Sequence, residues 1–162
     1  MTRVEPGPGQ ESVWDYPRPP RLERSDRHVV VELEGITIAE TTQSLRILET
    51  SHPPTYYVPA DEVAGGVLTR SGGQTICEWK GVASYYDVES GGRLVERGAW
   101  TYHDPRSGFE QIRDAVAFYP GRMDACLLDD EEVVAQAGDF YGGWITSDIV
   151  GPFKGDAGTS GW

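Results

Sequence analysis

A succession of short strand-like segments, each bounded by glycine, proline or aspartate, constrains the fold most. Residues 28–41 (HVVVELEGITIAET) place two β-branched runs around Glu34-Gly35, which predicts a tight hairpin. Similar segments recur about every ten residues along the chain, with turn signals between them. This spacing predicts an all-β chain, folded as a single compact antiparallel domain, barrel-like or tent-like, with one or two short helices.

Further strands are expected where β-branched and aromatic residues alternate with polar ones, at 44–50, 55–59, 75–81, 83–88, 93–102, 115–120 and 123–136. Turns are expected at 71–74, at 90–92 and at Asp129-Asp130. A short helix is predicted within 60–68, capped by Asp61, and one helical turn within 108–114. The two glycines Gly65 and Gly66 limit the first helix to about one or two turns.

Composition divides the chain into three parts. Residues 1–26 contain five prolines among charged residues and are predicted to form an irregular arm, which Trp14 and Tyr16 pin to the body. Residues 27–137 carry the strand pattern and form the β domain. Residues 138–162 are rich in glycine and aromatic residues, and we expect them to pack on the domain as loops.

Charge and the rare residue types exclude several function classes. The net charge of −12 repels phosphate backbones, so we expect no nucleic-acid partner. The sequence contains no long apolar run of the kind that forms a membrane span or a signal peptide, so a cytoplasmic protein is expected. Two cysteines and three scattered histidines offer neither a disulfide framework nor a tetrahedral metal site. No metal and no cofactor are therefore predicted.

Lys80, one of only two lysines, is the first candidate binding residue. On a continuous strand over TICEWKG, Ile76, Glu78 and Lys80 would share one face, and Thr75, Cys77 and Trp79 the other. Lys80 can bind a carboxylate or phosphate as a point charge. Alternatively it is a surface lysine that pairs with Glu78 or Glu49.

Aromatic residues supply the rest of the candidate site. Adjacent tyrosines on a strand point to opposite faces, so only one of Tyr56 and Tyr57, and one of Tyr85 and Tyr86, can line a pocket. The alternative use of these rings is core packing. The predicted ligand-binding set consists of Glu49, Tyr57, Cys77, Trp79, Lys80, Tyr85, Trp100 and Tyr119.

The blocks RILETSHPPTYYVPADEV, TICEWKGVASYYDV, WTYHDP and AFYPGRMDA resemble the domain-of-unknown-function family 427 over about residues 29–128. The C-terminal GDFYGGWITSDIVGPFKG resembles an extension found in one branch of it. The chain has Glu78 where the family often has proline after the cysteine. The resemblance implies a β-tent fold of the Mss4-like type and carries the label nucleotidyltransferase-like. The cysteines that hold metal in zinc-binding relatives of that fold are missing here, so no metal is implied.

The residues themselves do not support nucleotidyl transfer. Ser71-Gly72-Gly73 lacks the order of a phosphate loop, and Asp129 and Asp130 are adjacent rather than paired on one face. A catalytic residue is not assigned, and whether the chain is an enzyme is left open. The sequence favours a domain that binds a small polar or anionic ligand in an aromatic-lined pocket. The alternatives are a nucleotidyltransferase-like enzyme, or a non-catalytic protein whose tail, Phe140 to Trp144, packs on a partner or a second copy.

Overall fold

A computed structural model of the chain describes residues 3–138 and 141–156. The structure is built from short strands: β1 (Glu11–Ser12), β2 (Arg21–Ser25), β3 (Val29–Leu33), β4 (Ile36–Thr41), β5 (Ser44–Leu48), β6 (Thr55–Tyr57), β7 (Leu68–Cys77), β8 (Gly81–Ser90), β9 (Arg93–Thr101), β10 (Val116–Phe118), β11 (Ala125–Leu128), β12 (Glu131–Glu132), β13 (Val134–Ala135), β14 (Trp144–Ile145) and β15 (Ile149–Val150). Single 3₁₀ turns lie at Val13–Asp15, Ala60–Glu62, Glu110–Ile112 and Pro120–Arg122. The predicted all-β class is confirmed.

Two antiparallel sheets become one curved surface through a single bridge. Strands β2-β5-β6 and β10-β9-β8-β7 form separate ladders. Val58, directly after β6, pairs with Val116 of β10 through backbone hydrogen bonds of 2.8 Å in both directions. We call the resulting surface, ordered β2-β5-β6-β10-β9-β8-β7, the composite sheet. Within the described residues it stays open, with β2 and β7 as its edges.

The four-stranded sheet β12-β11-β3-β4 covers one face of the composite sheet. Its hairpin between β3 and β4 turns at Glu34-Gly35, both with positive φ, as the sequence predicts. The main core lies between the two sheets and contains, among others, Val29, Val31, Leu33, Tyr56, Val88, Phe118 and Leu128. Burying this apolar surface is the main stabilising contribution to the fold.

The opposite face of the composite sheet carries a second buried cluster, rich in aromatic rings. Strand alternation separates adjacent tyrosines as predicted: Tyr56 joins the main core while Tyr57 joins the aromatic cluster. In the same way Tyr85 belongs to the aromatic cluster and Tyr86 packs against the main core. The aromatic face is therefore a direct consequence of the period-two pattern.

Both ends of the described chain pack on the domain. β1 pairs in parallel with β15, and Val13 and Tyr16 lie in a small buried cluster with Leu48 and Ile149. Within the segment predicted as an irregular arm, residues 21–25 form β2. Trp144 contributes to the main core instead of lying in a surface loop. Phe140 of the predicted partner-binding tail lies outside the described residues.

Three local predictions are wrong. Residues 71–74 belong to β7, where the register shifts between Arg70 and Gln74, and do not end the strand. Strand β7 ends at Cys77, and residues 78–80 form the turn into β8. Asp61 does not cap its 3₁₀ turn, which begins after Pro59 without a side-chain cap.

Among the described residues, no helix has the length and the apolar composition that are needed to span a lipid bilayer.

Candidate functional site

A cavity of about 250 Å³ lies on the aromatic face of the composite sheet. Ile47 of β5 lines one side of it, and Thr75 and Cys77 of β7 line another. Strands β5 and β7 are separated by four strands in the sheet order. The sheet must therefore curl around the cavity, so that residues from distant strands face one another.

Four rings form the wall of the cavity: Tyr85, Trp100, Tyr102 and Tyr119. Tyr85 and Trp100 are cross-strand neighbours on β8 and β9. The Trp100 and Tyr119 rings pack with centroids 4.5 Å apart and planes tilted by 49°, at the short end of the distances found for aromatic pairs. Behind this wall, the fully buried Tyr57 hydroxyl accepts a hydrogen bond of 3.3 Å from Trp100 Nε1.

Residues distant in sequence close the other side of the cavity: His52, Pro53, Gln136, Tyr141 and Gly142. They come from the loop before β6, from the position directly after β13 (Gln136) and from the segment before β14. Gly142 packs on Trp100 so closely that a Cβ atom would lie 2.6 Å from Cζ3 of the indole. Only glycine brings the backbone this near the ring. None of these residues belongs to the set predicted from the sequence, although the Gly142-Gly143 doublet before a tryptophan is a signal of close packing.

Lys80 lies in the cavity wall and not on a solvated strand edge. It ends the 78–80 turn, and its Nζ stands 5.8 Å from the centre of the Tyr102 ring. Burial opposes its charge, but the Tyr57 hydroxyl, Cys77 thiol and Glu49 carboxylate outweigh burial and raise the pKa of Lys80 above its ordinary value. The face assignment based on a continuous strand is wrong because the turn places Lys80 with Thr75 and Cys77.

His52 is neutral at neutral pH. Burial, together with the positive charges of Lys80, Arg18 and Lys154, lowers the pKa of His52 to about 4. Glu49 Oε2 approaches His52 Nε2 at 4.0 Å, but because the imidazole is uncharged this contact is not an ion pair. Glu49 therefore lines the cavity without a cationic histidine beside it.

Gln136 fixes the tautomer of His52. Its Oε1 accepts from Gly143 N at 3.2 Å and its Nε2 donates to Lys154 O at 2.6 Å, so the amide has one orientation. The same Nε2 lies 3.3 Å from His52 Nδ1, which must accept. The proton of the neutral imidazole is consequently on Nε2, facing Glu49. With Nδ1 engaged, His52 is held as a positioned donor and not as a free general base.

Most of the predicted site residues meet in the cavity. Six of the eight line it: Glu49, Cys77, Lys80, Tyr85, Trp100 and Tyr119. Tyr57 supports the wall from behind, and Trp79 packs partly buried on the edge of the aromatic cluster without lining the cavity. Their role in ligand binding remains a prediction.

Two arginines cover aromatic rings that line the cavity. The Arg97 guanidinium lies 4.7 Å from the centre of the Tyr85 ring, and that of Arg122 lies 4.1 Å from the centre of Tyr119. Arg122 Nη1 also donates to Arg97 O at 2.6 Å. Lys80 and these two arginines thus place three cationic side chains next to rings of the aromatic wall, in a chain whose net charge is −12.

Other surfaces offer less chemistry. A larger hollow of about 740 Å³ is lined by Arg24, Asp26, Ser44, Gln111 and their neighbours, without an aromatic ring. Asp129 lies in the β11–β12 turn, where it accepts from Arg27 Nε at 2.7 Å and His28 N at 2.9 Å. Within residues 3–138 and 141–156, no three His, Cys, Asp or Glu side chains are grouped to hold a metal.

Fold and site together define a compact all-β domain with a small, aromatic-walled cavity that contains one lysine. Residues 21–129 match the family described as a domain of unknown function (DUF427), and the chain belongs to this family. The resemblance read from the sequence blocks is thereby confirmed, whereas the Mss4-like architecture stays a prediction. No curated protein matches the chain.

Proposed function

We propose that the protein binds a small organic anion in the aromatic-walled cavity, with Lys80 as the positive charge that holds it. The observation that carries the proposal is the placement of Lys80: it lines a cavity walled by tyrosines and a tryptophan, and its Nζ lies 5.8 Å from the centre of the Tyr102 ring. Apolar walls with a few convergent polar groups are typical of small-molecule sites.

Lys80 is suited to an anion because its charge is kept. The neighbouring hydroxyl, thiol and carboxylate raise its pKa, so at neutral pH it is an ammonium and not the neutral amine that a nucleophile requires. Arg97 and Arg122 add positive potential at the same wall. An approaching anion is attracted to this region although the chain as a whole is acidic.

The size of the cavity favours a small ligand. Its volume of about 250 Å³ is below the roughly 300–1,000 Å³ of sites for drug-sized molecules. A nucleoside triphosphate also needs several cations or a metal to neutralise its phosphates, whereas Lys80 is the single cationic side chain that lines the cavity among the described residues. These points favour a compact carboxylate or phosphate over a nucleotide.

The test is a thermal unfolding screen of the purified protein against small carboxylates, inorganic phosphate, sugar phosphates and nucleotides. A ligand at 100 times its Kd stabilises the native state by about 2.7 kcal/mol. The proposal expects such a shift for at least one small anion, and its loss in Lys80→Met.

Arg24→Met is the matched control because it removes the same positive charge from an exposed residue outside the cavity lining. It should retain the full ligand shift. Equal shifts in wild type and Lys80→Met, or no shift with any compound in the screen, would overturn the proposal.

A further inference from the structure

We infer that the ligand is a zwitterion, whose carboxylate faces Lys80 and whose ammonium faces Glu49. A small α-amino acid with an apolar side chain is the class that fits. This inference rests on the proposed anion site and specifies the second charged group of its ligand.

The charges inside the cavity balance. Lys80 and Glu49 both line it, and His52, the third titratable residue beside them, is neutral with its proton on the nitrogen that faces Glu49. A simple monoanion held by Lys80 would therefore lie close to a carboxylate, which weakens its binding without preventing it. A ligand that carries one charge of each sign meets a partner for both.

Lys80 and Glu49 do not neutralise each other by direct contact. They interact electrostatically, yet within the described part of the chain no ion pair of 4.0 Å or less joins them. Lys80 extends from the turn beside β7, and Glu49 follows β5 on the far side of the curled sheet. The two residues thus line the same cavity from different parts of the sheet, and a ligand placed between them meets both charges.

The walls suit the rest of an amino acid. Tyr85, Trp100 and Tyr119 present aromatic surface to an apolar side chain. The same rings attract an ammonium group through their negative faces. A ligand of this kind buries its apolar part while each charge finds a partner, which is the condition for burying charges without a large penalty.

The experiment uses matched sets of three compounds built on an isobutyl and on a benzyl side chain. Each set contains the amino acid, the acid that lacks its amino group, and the amine that lacks its carboxylate: leucine, 4-methylpentanoate and 3-methylbutylamine, and phenylalanine, 3-phenylpropanoate and 2-phenylethylamine. Binding is measured by calorimetry to the full chain. In at least one set, the amino acid should bind at least about tenfold more tightly than both truncated compounds, since each leaves one buried charge unpaired.

Glu49→Gln separates the inference from the proposed function. In this variant the preference for the amino acid over the acid should disappear, while the acid binds as well as in wild type or more tightly. Glu23→Gln, which removes a carboxylate outside the cavity lining, is the control and should keep the preference. If the acids bind wild type as tightly as the amino acids, the zwitterion inference is wrong and the anion site stands. If none of the six compounds binds, the inference is overturned, and the anion site is then judged by the Lys80→Met screen.

Discussion

The backbone of Gly142 lies directly on the indole of Trp100, so that even a methyl group there would come within 2.6 Å of Cζ3 and closer still to Cη2. The indole cannot easily move away. It packs on Tyr119 at 4.5 Å and donates to the buried Tyr57 hydroxyl. This contact joins the C-terminal segment to the aromatic wall. The closure of the cavity therefore depends on having glycine, which has no side chain, at position 142.

Gly142→Ala should therefore destabilise the protein by about 1–3 kcal/mol, the usual cost of overpacking. Gly65→Ala is the control, because a Cβ at Gly65 meets no atom within 4 Å and its φ is not positive. That variant should change the free energy of unfolding by less than about 0.5 kcal/mol. Urea unfolding curves measure both values, and equal stability of the two variants would contradict the packing described.

The burial of Trp144 predicts that the C-terminal segment folds together with the β domain. Its side chain is 1% exposed in the main core, and Nε1 donates to Phe118 O at 3.3 Å. Trp144→Ala should cost about 3–5 kcal/mol, and deletion of residues 139–162 at least as much. Val134→Ala, at a side chain 62% exposed, should cost less than about 0.5 kcal/mol. An unchanged melting temperature after the deletion would refute a structural role for this segment.

Local pattern was sufficient to predict most strands between residues 28 and 136 and the face that each residue of the Tyr56-Tyr57 and Tyr85-Tyr86 pairs occupies. Alternation along β6 and β8 separates Tyr57 from Tyr56 and Tyr85 from Tyr86, because the period of a strand is two. The Glu34-Gly35 pair predicted the β3–β4 hairpin, because glycine readily adopts the positive φ that such a turn requires. Grouping Glu49 with Lys80 depended on the rarity of charged residues among aromatic strands, and the structure places both at one cavity.

A break between the two strands was expected near Gly81, but its start at Glu78 could not be predicted because residues 78–80 include no glycine or proline. The positive φ that the turn needs comes one residue later, at Gly81. The closing wall was missed for another reason. Gln136 and Gly142 reach His52 and Trp100 through long-range packing, and such contacts leave no periodic trace in a sequence.

The network around Arg46 predicts a stability contribution from the N-terminal segment. Arg46 is 14% exposed and donates to both carboxylate oxygens of Glu11, at 3.0 and 3.1 Å, and also pairs with Glu23. Its hydrogen bonds are the main reason that the pKa of Glu11 is lowered.

Arg46→Met should lower the free energy of unfolding by about 1–3 kcal/mol, and not by more, since the carboxylates are partly solvated. Arg21→Met, which loses only an exposed contact of 3.5 Å to Glu23, should cost less than about 0.5 kcal/mol in the same unfolding assay. Equal losses would show that the network contributes no more than a surface pair.

The lowered pKa of His52 predicts that the protein loses stability in mild acid. Its pKa is about 4 when folded and ordinarily 6.5, so between these values the unfolded chain binds a proton that the folded chain does not. The stability from neutral His52 is fully present above about pH 6.5 and is lost as pH falls toward 4, by up to about 3 kcal/mol.

His52→Asn keeps an acceptor for Gln136 but cannot titrate. Its free energy of unfolding should fall less steeply between pH 6.5 and 4 than that of wild type, measured by urea unfolding at several pH values. Carboxylates with lowered pKa values, such as Asp129, affect both proteins alike. Parallel profiles would mean that His52 is not held neutral by the fold.

The two cysteines should differ sharply in reactivity, because Cys77 lines the cavity while Cys126 is 1% exposed in the main core. Burial also raises the pKa of the Cys126 thiol, which reduces the thiolate that reacts with alkylating agents.

Iodoacetamide should modify native protein once, at Cys77, and urea-unfolded protein twice, as read by mass spectrometry of the peptides. Cys77→Ser should abolish the native adduct, and Cys126→Ser should leave it unchanged. A compound that binds in the cavity should slow modification of Cys77, since the thiol and the ligand then share one space. Native modification at Cys126, or none at Cys77, would place the accessible cavity elsewhere.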